Sequence, residues 1–174
     1  MRRQVNSRYI THLRTPDGVR YTPKWIIENP WLEDLVDRIL LLVKAKWLKK
    51  SGVPDKLFEA AQLYDSIKKY KKSFECYLQA SQLGHIQATY ELALCYDFPK
   101  GCEQDLSKAF QLCLDLAKKG HVDAMCRVGM YFEHGIGTYK DSELAIFWYT
   151  EAVQKGNKLA KRNLEQIMLH RREP

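Results

Sequence analysis

Ser66-Ile67-Lys68-Lys69 places a lysine three residues after a serine, the spacing at which a neighbouring amine can activate a nucleophilic hydroxyl. Acyl transfer built on that pattern also needs a Ser-Asp-Asn element and a downstream Lys-Thr-Gly strand. The sequence has no Ser-Asp-Asn, and its nearest match to the second element, Lys50-Ser51-Gly52, lies upstream. The match is a coincidence of spacing. His85 and His121 are metal-ligating types, each placed directly after a glycine. A metal needs three or four convergent donors, and packed helices lie roughly 10 Å apart, too far for the two imidazoles to share one ion. Capping or solvating a helix start is the expected role of both. Cys126 follows His121 by five residues, which is not one face of a helix. Gly135-Ile136-Gly137 has no preceding strand pattern that would make it a phosphate loop, and no His-Glu-x-x-His or Cys-x-x-Cys occurs. No catalytic residue, metal or cofactor is expected, and the chain reads as a non-enzyme.

What the sequence does carry is a ruler. Gly84, Gly120 and Gly156 are 36 residues apart, and Ala88, Ala124 and Ala160 keep the interval. So do His85 and His121, Gly101 and Gly137, Asp105 and Asp141, and Ala109 and Ala145. A period in this range marks stacked helical hairpins, none of which can bury its apolar face alone. Function then resides in a surface.

Repeat one runs from Asp55 to about Leu83, with Leu57, Ala60, Ala61 and Tyr64 on its first helix and Phe74, Tyr77, Leu78 and Ala80 on its second. Its turn, Lys68 to Lys72, lacks a glycine loop and is shorter than the later ones. Repeat two spans Gly84–Lys119 and repeat three Gly120–Lys155. The last helix, Lys158–His170, repeats only the start of a unit, and Lys161, Arg162, Arg171 and Arg172 give it a polar outer side, as a terminal cap needs. Asp105 and Asp141 fall where helix N-caps or first-turn acids belong. Gly129 stands where repeat two has Ala93. A glycine inside a helix costs about 1 kcal/mol relative to alanine, so close packing is its expected reason.

Ahead of the repeats, residues 1–28 form a basic arm or hairpin and residues 29–54 a capping helix; the solenoid occupies 55–174. Residues 8–25 read as a short β-hairpin, with Tyr9, Thr11 and Leu13 alternating before the turn Pro16-Asp17-Gly18 and then Val19 and Tyr21. Asn29-Pro30 supplies a cap and a first helical residue. Trp31, Leu35, Ile39 and Leu42, with Leu32, Val36, Val43 and Trp47, cover more than one face, so this helix should pack over the first repeat.

The net charge is +7, and residues 1–54 hold 11 Lys/Arg against 5 Asp/Glu, so the repeats are nearly neutral. That argues against a nucleic-acid groove along the solenoid. It leaves an alternative, binding of nucleic acid or an anionic membrane through Arg2, Arg3, Arg8, Arg14, Arg20 and Lys24. No apolar run suits a membrane span or a secretory signal. Residues 1–14 are Arg-rich and lack acids, so an organelle address stays open. Cys76, Cys95, Cys102, Cys113 and Cys126 are an odd number inside helical patterns, mostly on apolar faces, and read as reduced, buried thiols in a cytoplasm-like compartment.

The run Ala124-x3-Val128-Gly129-x2-Phe132-x2-Gly135-Ile136-Gly137-x3-Asp141-x3-Ala145-x2-Trp148-Tyr149-x2-Ala152-Val153-x2-Gly156 resembles the Sel-one-like repeat, an αα-hairpin unit related in form to the tetratricopeptide repeat. Repeat two matches less fully, with Pro99 in place of the first loop glycine, and repeat one matches in its second helix only. The resemblance implies an all-α fold, a right-handed αα-solenoid of about three hairpins. It also implies an adaptor that binds another protein or peptide on a concave face lined by the first helix of each hairpin. On that face the candidates are Tyr90, Glu91, Leu94 and Asp97 in repeat two, and Cys126, Arg127, Met130, Tyr131 and Glu133 in repeat three. Tyr, Arg and Met are types that interfaces favour. Secreted members of the family carry bridged cysteines where this chain has Met125 and Lys118, a departure that supports reduced thiols.

Overall fold

Residues 30–170 are described by a computed structural model, and the regular structure among them is helical. The helices are α1 (Pro30–Lys50), α2 (Pro54–Ser66), α3 (Tyr70–Gln82), α4 (Ile86–Asp97), α5 (Leu106–Lys118), α6 (Val122–His134), α7 (Ser142–Gln154) and α8 (Lys158–His170). Each packs chiefly on its sequence neighbours, and α6 also reaches α8. This is the contact pattern of a solenoid of αα-hairpins. Among the described residues no helix is long and apolar enough to cross a membrane. The β-hairpin expected at 8–25 and the six basic arm residues lie outside the described residues.

One continuous core runs from Ala45 and Leu48 on α1 to Ala160 and Ile167 on α8. Where helices cross, it is built of alanines with no exposed surface, among them Ala60, Ala61, Ala88, Ala93, Ala124 and Ala145. Larger side chains fill the remaining space: Leu57, Tyr64, Val128, Tyr131 and Tyr149 are almost wholly enclosed. Close approach explains Gly129. A Cβ there would stand 2.6 Å from the Tyr149 ring. At the matching site of repeat two the pair is Ala93 and Cys113, a larger residue facing a smaller one. Gly101 and Gly137 act between repeats. Both have positive φ, and a Cβ on either would strike a backbone carbonyl, that of Tyr70 or of Leu106. Each loop thus seats on the first residue of the preceding hairpin's second helix.

A second fastening runs along the helix starts. His85 Nδ1 accepts from the Ala88 N–H at 3.0 Å and His121 Nδ1 from the Ala124 N–H at 3.2 Å. Asn157 Oδ1 accepts from the Ala160 N–H at 2.8 Å. With Nδ1 occupied as an acceptor, the histidines keep the proton on Nε2 and turn it back to the preceding hairpin. His85 Nε2 lies 3.4 Å from Asp55 Oδ1, and His121 Nε2 lies 3.4 Å from Gln87 Oε1. Asn157 Nδ2 donates to Asp123 Oδ1 at 3.0 Å. Asp55, Gln87 and Asp123 are the second residues of α2, α4 and α6. The imidazoles also stack on the fifth residues, His85 on Phe58 at 4.6 Å and His121 on Tyr90 at 4.9 Å. Every cap therefore serves its own helix and sets the register of the helix before. Asp105 and Asp141 cap α5 and α7 in the ordinary way.

Two sequence expectations need correction. Cys102 is not in a helix; it lies in the loop before α5, half-buried, its thiol donating to the Cys95 carbonyl. The helix α1 packs on α2 through Ala45 and Leu48, over the first repeat, while Leu35, Ile39, Leu40, Val43 and Trp47 stay 47–66% exposed. The outer side of α8 mixes exposed Lys161 and Arg162 with exposed Leu159, Met168 and Leu169. The α2–α3 turn is short as expected, and it turns through Lys68 at φ 60°, doing without glycine.

Burial pushes the Cys95 and Cys113 thiols up to about 12 and Cys126 up to about 11. Thiol reagents attack the thiolate, so in native protein at pH 8 Cys102 should react with Ellman's reagent well ahead of the other four, which should need denaturant. Gly129→Ala should lower stability by about 1–3 kcal/mol in urea titrations despite its better helix propensity, through overpacking against Tyr149. His121→Ala should cost about 1–2 kcal/mol, and His121→Asn should recover most of it by capping as Asn157 does.

Candidate partner-binding face

The caps hold α2, α4, α6 and α8 as a series, and equivalent positions on them form columns. The sixth residues are Glu59, Glu91, Arg127 and Asn163; the ninth are Gln62, Leu94, Met130 and Gln166. Two columns side by side make a strip whose centre, on α4 and α6, combines apolar and charged groups.

The eight candidates divide within this strip. Glu91, Leu94 and Met130 are half-buried along the columns. Tyr90 is half-buried and held against His121. Arg127 keeps 20% of its side chain exposed, with its guanidinium 5.5 Å from the centre of the Phe98 ring and Nη1 3.5 Å from Asp97 Oδ2. Asp97 and Tyr131 lie inside. Tyr131 is 1% exposed, and its hydroxyl donates to Asp97 Oδ2 at 2.9 Å. Burial, reinforced by that bond, drives the Tyr131 phenol far above its usual range, so it remains a donor. Cys126, the ninth residue considered, is buried too. Glu133 is half-buried and accepts from the Tyr149 hydroxyl at 2.6 Å. Asp97 and Tyr131 thus act as a brace beneath the strip, fixing Arg127 from below.

Phe98 escaped the sequence reading. It directly follows α4 as its C-cap, is 61% exposed, and lies under Arg127. An aromatic directly after the Asp97 position, at a helix end and off the apolar stripe, was the available signal. Asn157 was also missed as a cap, although it follows Gly156 as His121 follows Gly120.

The remaining chemistry does not converge. The Ser66 hydroxyl donates to the Leu63 carbonyl. Among the described residues no group of three His, Cys, Asp or Glu could hold a metal ion. A broad depression of about 680 Å³ beside Phe74, Tyr96, Cys102 and Asp105 is open to solvent; the Cys102 thiol there is spent on the Cys95 carbonyl and Asp105 on its helix cap.

Comparison with known proteins agrees with this architecture. In Saccharomyces cerevisiae, Activator of C kinase protein 1 is 32% identical over 102 residues, a match covering 52% of this chain and 16% of that protein. The chain thus spans about a sixth of that relative's length. The crystal structure of a Sel1 repeat protein from Oxalobacter formigenes superposes with a TM-score of 0.61 at 28% identity, over 72% of this chain and 97% of that one. The uropathogenic Escherichia coli protective antigen c5321 has the same fold, with a TM-score of 0.65 at 23% identity over 70% of this chain and 27% of that one. Repeats of this kind commonly mediate contact between proteins. The family profile of the Sel1 repeat matches residues 59–85, 86–121 and 122–157 in direct succession, hairpin by hairpin, and the chain belongs to the Sel1 repeat family.

Proposed function

We propose that this protein is a non-catalytic adaptor that holds another protein or peptide along the strip formed by α4 and α6. The observation that carries the reading is the braced Arg127 over exposed Phe98, flanked by Leu94 and Met130. Aromatic, Arg and Met side chains dominate interface energetics, and here they sit on helices whose register is already fixed. Little freedom is left to lose on association, which limits the entropic cost. A reducing compartment such as the cytoplasm suits five free, mostly buried thiols. The name of the yeast relative, an activator of a kinase, fits a solenoid that engages a second protein.

Nucleic acid or anionic lipid bound through Arg2, Arg3, Arg8, Arg14, Arg20 and Lys24 is the second reading, favoured by the +6 balance of residues 1–54. Salt separates the two, since contacts to phosphate weaken steeply as ionic strength rises.

Affinity capture with mass spectrometry would supply the partner, and titration of that partner against variants tests the site. Phe98→Ala and Met130→Asp should each weaken binding about tenfold, about 1.4 kcal/mol. Phe98→Ala should leave the melting temperature within a few degrees of wild type. Undiminished affinity in both variants, or binding that vanishes in moderate salt, rejects the strip as the site.

A further inference from the structure

The first hairpin turns through a run of lysines that its packing does not use. Lys68, Lys69, Lys71 and Lys72 surround Tyr70, four cations in five residues, and all four are exposed. Nearby acids are already engaged. Lys100 Nζ lies 2.7 Å from Asp65 Oδ2, and Glu75, one helical turn on from Lys71, is held by Lys49 at 2.9 Å. Among the described residues Lys68, Lys69 and Lys71 make no ion pair, and Lys72 reaches the Tyr64 ring at 5.8 Å. The turn is fixed from one side. The Tyr70 carbonyl is the seat of Gly101, and its ring, 37% exposed, has Lys100 over it at 5.2 Å. Lys68 holds φ 60°, and among the described residues it is the one non-glycine in that left-handed region. Glycine or asparagine adopts it at less cost, so the chain keeps a positive charge where local geometry favours a neutral residue. The later hairpins have no such cluster. Loop 98–105 sets Lys100 against Glu103 and Asp105, and loop 135–141 sets Lys140 against Asp141.

We propose that this turn docks the solenoid on an anionic membrane surface. Clusters of four or more lysines are drawn to acidic lipid leaflets, each lysine being worth roughly fivefold in partition. Long lysine stems let the ammonium groups reach headgroups while the backbone stays in water, and a half-exposed tyrosine such as Tyr70 suits the headgroup level. The surroundings favour a leaflet over other polyanions. A nucleic-acid strand needs cations along its track, and here they are confined to one turn. An acidic peptide leaving the turn would enter the adjoining depression, where Glu103 and Asp105 stand in the wall. A leaflet meets the blunt tip alone and offers it many dispersed negative charges. The contact uses no residue of α4, α6 or the N-terminal arm, so it is separate from the partner-binding strip and from the arm.

Co-sedimentation of the full chain with vesicles tests this, using phosphatidylcholine alone and phosphatidylcholine mixed with phosphatidylserine. Lys68→Gln, Lys69→Gln and Lys71→Gln combined should lower partition onto the mixed vesicles about a hundredfold, with an unchanged circular dichroism spectrum. Variant and parent should both carry Arg2→Gln, Arg3→Gln, Arg8→Gln, Arg14→Gln, Arg20→Gln and Lys24→Gln, so that the arm adds nothing to the signal. Lys68→Gly alone should cost about fivefold with the melting temperature unchanged or raised, because glycine relaxes the turn. Equal partition of the triple variant and its parent overturns the proposal, as does equal affinity for the two kinds of vesicle. A turn that leaves vesicles unbound but holds a single-stranded oligonucleotide or a poly-glutamate peptide also overturns it, and gives the site to that polyanion.

Discussion

Each hairpin's cap reaches back to the hairpin before it, and the rest of the architecture depends on that reach. An αα-hairpin is too small to enclose its own apolar face, so apolar burial drives stacking but does not choose the register. His85, His121 and Asn157 choose it. Each satisfies a backbone N–H that would otherwise be an orphan, and each spends its remaining polar atom on the second residue of the previous first helix. Net gains from single hydrogen bonds are only about 1 kcal/mol. Their value lies in direction, since a slide of one residue would break every bond of the series together.

The same economy appears under the binding strip. Asp97 is a buried carboxylate, a group whose removal from water is costly unless it is paired and hydrogen-bonded. The Tyr131 hydroxyl and the Arg127 guanidinium provide that compensation from α6. In return the carboxylate ties α4 to α6 and holds the arginine beside the Phe98 ring. A side chain with many rotamers becomes part of a rigid surface.

Much of this was legible in the residues. The 36-residue interval located the hairpins, the alanine positions foretold the close crossings, and the glycine at 129 signalled close packing, whose partner is the Tyr149 ring. Asp105 and Asp141 could be read as caps because their type and place agree. What could not be read was which half-polar residues point outward. Tyr131 and Met130 are adjacent in sequence, yet one is enclosed and the other borders solvent. Helical spacing does put Tyr131 on the stripe of Ala124 and Val128, but the partner that lets its hydroxyl be buried, Asp97 Oδ2, comes from another repeat. For the same reason the apolar positions of α1 placed that helix over the first repeat without showing which of them stay exposed. A stripe shows that a helix can bury a face; only the neighbours determine whether it does.

The connections follow two different rules. Those between hairpins, 83–85, 119–121 and 155–157, are always three residues and end on the capping side chain. Those inside hairpins vary, from 67–69 to 98–105 and 135–141. Insertion or deletion in the first kind would tear a cap from its helix; in the second kind it leaves both fastenings in place when it falls between the seat at Gly101 or Gly137 and the cap at Asp105 or Asp141. Sequence novelty in such a chain has a permitted address, and new recognition elements can be grafted there without renegotiating the fold.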